Sequence, residues 1–184
     1  MVLIYQTTVK YLLMLFALLS IWSCRNKVNT DPENSAQFDT LAQRQAIGAM
    51  LDSFNIAAAN ADYNQYFNFF TNDAVFIGTD AAERWTKPEF MKWARPYFEK
   101  KRTWNFKAIN RHVSFGENND IAWFDELLNT QMKICRGSGV VVLQNGTWKV
   151  QEYVLSVTIP NALVDSVVNL KSAIDDSLMT KSLP

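Results

Sequence analysis

The stretch Ile121-Ala122-Trp123-Phe124-Asp125-Glu126-Leu127-Leu128 constrains the fold of this chain more than any other. It is apolar enough for the middle of a sheet, yet it carries two adjacent carboxylates. Successive side chains of a strand point to opposite faces, so Asp125 and Glu126 cannot both face the core. A buried carboxylate is costly unless it is paired or protonated. One acid therefore meets solvent, and the other meets an enclosed face that must accommodate it.

The residues around this strand read as one body. Thr40 to Asn60 places Leu41, Ile47, Met50, Leu51, Phe54, Ala57 and Ala58 at helical spacing. Asp62 to Phe70 continues as a short second helix ending near Asn72-Asp73. Ala74 to Ile77 and Glu83 to Thr86 are expected to be short strands around the turn chemistry of Gly78-Thr79-Asp80. Lys87-Pro88-Glu89 opens a third helix through Lys100, with Phe90, Trp93, Ala94 and Tyr97 on its inner face. From Trp104 the period becomes two. Trp104, Phe106 and Ala108 alternate, then the apolar parity switches to Ile109, Val113 and Phe115, as a β-bulge would cause. Cys135 to Gln144 and Thr147 to Ile159 form the last strands, joined by a type I′ turn at Asn145-Gly146. The fold class is α+β: a cone-shaped, curved antiparallel sheet with a β-bulge, covered by three N-terminal helices.

The N-terminal region has a different character. Lys10 precedes an apolar run from Tyr11 to Trp22, too short to span a bilayer comfortably and followed by Ser23-Cys24. Residues 1–23 therefore read as a signal peptide. Ile21-Trp22-Ser23-Cys24 resembles a bacterial lipobox, which makes Cys24 the expected lipidation site. Residues 24–40, polar and holding Asp31-Pro32, read as a flexible tether. The expected location is the bacterial cell envelope, lipid-anchored or periplasmic or secreted. Residues 162–184 form a weak helix or tail. The formal net charge is zero, which gives no electrostatic footprint for nucleic acid. One histidine and two cysteines cannot build a zinc site, and no cofactor is expected.

Phe76-Ile77-Gly78-Thr79-Asp80, Glu83-Arg84-Trp85, Ala122 to Glu126, Cys135-Arg136-Gly137-Ser138-Gly139 and Trp148 to Ser156 together resemble a SnoaL-like domain of the nuclear transport factor 2-like superfamily, a cystatin-like roll. The resemblance covers residues 41–161. It implies helices over the concave face of the sheet and a cavity inside the cone. It implies little about reaction, because the superfamily holds isomerases, cyclases, hydrolases and binding domains. Many relatives carry a histidine two residues before the serine of the last strand; here that position is Val154.

Strand parity nominates the residues facing that cavity. A two-residue turn at Asn145-Gly146 opposes Leu143 to Trp148 and Val141 to Val150, and so Gly139 to Glu152. Glu152 is then an inward acid, with Tyr153 and Arg136 outside. Gly137 and Gly139 either widen a cavity or permit close backbone approach. A two-residue turn at Met132-Lys133 puts Glu126 inside with Ala122, Phe124 and Leu128; a one-residue change in turn length puts Trp123 and Asp125 there instead. Glu126 is the preferred inner acid.

The candidate catalytic residues are thus Glu126, Glu152 and His112, two acids in one cavity raising one pKa. The bland alternative places the acids at the rim, paired with Arg or Lys. Only one of Arg111 and His112 can point inward. Trp85, Trp123, Asp125 and Phe124 are candidate ligand contacts, although the tryptophans could equally be core. The expected ligand is a small apolar or aromatic molecule, with a homodimer through the outer sheet face as the expected assembly. A cofactor-free isomerase, cyclase or hydrolase, or a dimerisation module, is the alternative to a binding domain.

Overall fold

The computed structural model describes residues 38–182, so Cys24 and the stretch expected to be a signal peptide lie outside the described residues. The body starts with helix α1 (Thr40–Ala59). Asp39 caps it, its carboxylate accepting from the amides of Leu41 and Ala42 at 3.0 Å. Ile47, Leu51, Phe54 and Ala58 form the buried stripe of α1. Helix α2 (Tyr63–Asn68) is shorter than its apolar run suggests. Strand β1 (Phe70–Ile77) begins at Phe70 rather than Ala74, because Phe70 already has a ladder partner in Val150.

β1 turns through Gly78–Glu83 into β2 (Arg84–Thr86), which runs directly into α3 (Lys87–Glu99). The Glu89 carboxylate accepts from the Thr86 amide at 2.8 Å and its hydroxyl at 2.7 Å, fixing this junction. The buried stripe of α3 is Phe90, Ala94 and Phe98. Trp93 and Tyr97, expected on that stripe, are 38% and 43% exposed and flank it instead. The i, i+4, i+8 row claims the core, and the two large rings pack on each other at its side, with centroids 4.9 Å apart.

Strands β3 (Lys107–Phe115), β4 (Ile121–Thr130), β5 (Lys133–Gln144) and β6 (Thr147–Val157) complete a sheet ordered β2-β1-β6-β5-β4-β3. The pairings are antiparallel except β1 with β6, which run parallel across a long crossover. The parity switch in β3 is a bulge, with Ile109 skipped between Ala108 and Asn110. Asn145 and Gly146 both take positive φ, 51° and 76°, as a type I′ turn requires. A short turn at Asn161–Leu163 leads to α4 (Val164–Ser182), which exposes Val168, Leu170, Ile174 and Met179. No helix among the described residues is long and apolar enough to cross a membrane.

A second bulge changes the last strand. Val141 pairs with Val150, but Val140 pairs with Glu152, so Gln151 is the extra residue. Every residue after it faces opposite to simple alternation. Tyr153 is buried and Glu152 is not, the reverse of the expected arrangement. Thr71 donates to the Gln151 side chain at 3.0 Å and so holds the bulge residue. Gly139 completes it, because a side-chain carbon there would collide with the carbonyl of Glu152.

Candidate functional site

Inside the cone, cross-strand rows bring the functional side chains together. Arg111, Glu126, Gly137 and Leu155 form one such row, and Val113, Phe124, Gly139, Tyr153 and Phe76 the next. Glu126 is wholly enclosed, as parity favoured, with Ala122, Phe124 and Leu128 buried on the same face. The turn that sets this register is Gln131-Met132, since Thr130 pairs with Lys133. It is displaced by one residue from the expected turn, which moves the partner sum by two and leaves the parity unchanged.

Glu126 is not free. Arg111 donates to its Oε2 through Nε at 2.8 Å and lies 2.7 Å away through Nη2. The same guanidinium donates to the Gly48 carbonyl and to Asp52, each at 2.9 Å, and so pins α1 to the sheet. The Tyr153 hydroxyl donates to Glu126 Oε1 at 3.4 Å. Burial pushes the Glu126 carboxyl above its ordinary pKa, and the Arg111 charge beside it pulls back against that. Burial also works against the Arg111 cation, yet Glu126 and Asp52 hold its pKa above the ordinary value. Burial, then the neighbouring Glu126 charge, drives the Tyr153 phenol well upward. Gly137 is the floor of this cluster: a side-chain carbon there would lie 2.5 Å from the Tyr153 hydroxyl.

A separate cavity of about 150 Å³ opens at the β2 end of the cone. Its walls come from Phe76 on β1, Trp85 on β2, Phe90 and Trp93 on α3, and Trp104 and Phe106 ahead of β3. The rings brace one another: Phe76 stacks on Phe90 at 4.0 Å, and Trp85 on Trp93 at 4.8 Å. The hairpin residues Gly78, Thr79 and Glu83, the turn Gln131-Met132, and Leu155 complete the lining. Glu126 does not line this cavity, whereas Leu155, its neighbour along the row, does.

Several nominated residues stand elsewhere. Glu152 lies on the outer face between Val75 and Val140 in the register, because the Gln151 bulge turned it out. It cannot pair with Glu126. His112 is exposed on the outer face opposite Asp125, and the bulge at Ile109 gives Arg111 the inward position. Asp125 pairs with Arg136 on that outer face at 2.9 Å. Trp123 is 51% exposed there and does not line this cavity. Phe124 is buried core beside Tyr153, with ring centroids 5.9 Å apart, and does not line the cavity. Trp85 is the one nominated ligand contact that lines it. The Arg111 position was readable: Val113 and Phe115 set the inner parity two and four residues later. Nothing in the strand pattern pointed to Asp52 or Glu83, which reach their sites from a helix and a hairpin loop.

The family model of the SnoaL-like domain matches residues 47–160. The chain belongs to the SnoaL-like domain family. Solved structures carry the same fold. The SnoaL-like domain is similar to a nuclear transport factor 2-like protein of unknown function from Pseudomonas putida, at 15% identity and TM-score 0.53, covering 66% of this chain and 91% of that one. A candidate dehydratase of that family from Streptomyces avermitilis aligns at 12% identity and TM-score 0.58, over 66% and 100% of the two chains. A protein of cystatin-like fold from Caulobacter vibrioides aligns at 10% identity and TM-score 0.56, over 70% and 97%. No curated protein matches the chain. At these identities the likeness extends to the fold alone.

Proposed function

We propose that this SnoaL-like domain binds a small molecule of apolar or aromatic surface in the cavity at Trp85, presented at the cell envelope through a lipid on Cys24. One observation carries the reading. The aromatic-lined cavity is open, while Glu126, the best placed internal acid, is enclosed and committed to Arg111. A group already paired with a cation, away from the cavity lining, is a poor proton-transfer partner for a bound substrate. Ligand at about 100-fold its Kd adds about 2.7 kcal/mol, a rise of roughly 5–15 °C in Tm for a domain of this size. A thermal-shift series with small apolar and single-ring compounds reads this directly, with Trp85→Ala and Trp104→Ala as controls. No stabilisation by any compound, or stabilisation that both variants retain, overturns the reading. Lipidation is tested by the mass of the mature chain and its loss from the membrane fraction in Cys24→Ser.

A second reading has its own observation. Glu83, a carboxylate on the cavity lining, makes a cofactor-free isomerase, cyclase or hydrolase conceivable with Glu83 in the role first assigned to Glu126. Mass analysis of any stabilising compound after incubation tests it, with Glu83→Gln as the inactive control. A third concerns assembly. Trp123, Ile121 and Ile134 are exposed on the outer face of the sheet, which suits a second copy of the chain.

A further inference from the structure

Among the described residues, Glu83 is the one ionisable residue lining the cavity. It makes no ion pair among the described residues. Its Oε2 accepts from the Asp80 amide at 3.2 Å, and its backbone carbonyl accepts from the Gly78 amide at 2.8 Å. The side chain folds back over Gly78, where an added carbon would strike it. The carboxylate is therefore held in place on the cavity wall, in a lining with no cation among the described residues. Three of the six tryptophans of the chain, Trp85, Trp93 and Trp104, line the same cavity.

These features distinguish between ligand charges. A neutral hydrocarbon entering the cavity strips water from the Glu83 carboxylate and returns nothing to it, an unfavourable exchange. An anion is repelled. A small organic ammonium fits both parts: its methyl groups pack on apolar rings, its charge is drawn to the aromatic lining, and the carboxylate keeps a counter-charge. Size agrees, since a cavity of about 150 Å³ accommodates a molecule as large as benzene, and a trimethylammonium group is of that order.

We infer that the cavity recognises a small organic cation, an alkyl- or trimethylammonium group, through the Trp85, Trp93 and Trp104 rings and the Glu83 carboxylate. This rests on the cavity being the ligand site and adds the charge of what it takes.

The test compares choline with 3,3-dimethylbutan-1-ol, its uncharged isostere. Both are titrated against the full chain in dodecyl maltoside, following tryptophan fluorescence and calorimetric heat. Choline is expected to bind about tenfold or more tightly than the isostere, the size of a desolvated cation–aromatic contact. Glu83→Gln, which keeps the hydrogen-bond acceptor, should remove about tenfold of choline affinity and leave the isostere bound at least as tightly as before. Trp93→Leu, at a partly exposed position, should weaken choline selectively, because leucine keeps the apolar wall and loses the ring. Equal binding of the two compounds, or tighter binding of the isostere, overturns the cation assignment while leaving the cavity a ligand site. Binding of neither choline nor any neutral compound overturns both. Choline binding undiminished in Glu83→Gln and Trp93→Leu also overturns the assignment, since the cation then sits elsewhere.

Discussion

Arg111 meets three demands at once: a buried carboxylate, a helix carbonyl and an exposed acid. Removing one partner of such a pair leaves a charge stranded in the core, so Arg111→Met should cost about 3–5 kcal/mol in urea unfolding at pH 7. The double variant Arg111→Met/Glu126→Leu strands no charge, though the buried Tyr153 hydroxyl loses its acceptor, and should recover most of that loss; no recovery would mean the cost lies in the contacts to α1. The pH dependence follows from the raised pKa of Glu126. The folded state holds that proton more tightly than the unfolded chain, so the contribution is full below the ordinary carboxylate pKa and is lost as pH rises through the higher folded value. Thermal melts between pH 4 and pH 8 (about the span from the ordinary carboxylate range to neutrality) should show Glu126→Gln gaining on the unaltered protein as pH rises. A constant difference would refute this. At this scale the sequence told part of the story. Alternation around Phe124 and Leu128 placed Glu126 inside, and Val113 and Phe115 carried the parity of its partner Arg111, although only downstream of the bulge between Ala108 and Asn110.

Elements show why the rest was hidden. Turn counting from Asn145-Gly146 placed the residues correctly as far as Val141 and Val150, then failed where Gln151 is inserted. A bulge leaves no mark on apolar alternation when the residues around it are Gln151 and Glu152, polar on either face. The clue lay in Gly139, whose missing side chain makes room for the Glu152 carbonyl. Gly139→Ala should therefore cost about 1–3 kcal/mol in chemical unfolding, since backbone cannot yield as a side chain can. A neutral result would show that the bulge has slack. The junction of β2 and α3 is governed by a different device. Hydrogen bonds from Thr86 hold the Glu89 carboxyl below its ordinary pKa, so this stabilisation is present at neutral pH and lost as pH falls through the lowered folded value. Glu89→Ala should lower Tm at pH 7, and the gap to the unaltered protein should close in acid. A gap that persists in acid would assign the effect to packing instead.

For the whole molecule, the helices and the curved sheet were legible because period and turn chemistry act locally. The cavity was less so: its walls come from β1, β2, α3, the segment before β3 and the β4–β5 turn, and no stretch of sequence carries that convergence. Trp85 was nominated, while Trp93 and Trp104 were read as parts of a helix face and a strand. The outer face has its own expectation. If Trp123 lies at a contact between two copies, sedimentation velocity should give a dimer and Trp123→Glu a monomer of unchanged fold by circular dichroism. A monomer in both cases removes the assembly. The Gln151 bulge also reaches beyond its own strand. An extra residue bends the strand that carries it, and β6 stands between β1 and β5, so the bend helps set how far the two halves of the sheet lean towards each other. Deleting Gln151 would restore plain alternation with Tyr153 and Leu155 still inward. It would flatten the cone while sparing every side chain of the cavity wall. Chamber width and chamber chemistry are therefore under separate control in this chain, one by length and the other by residue type.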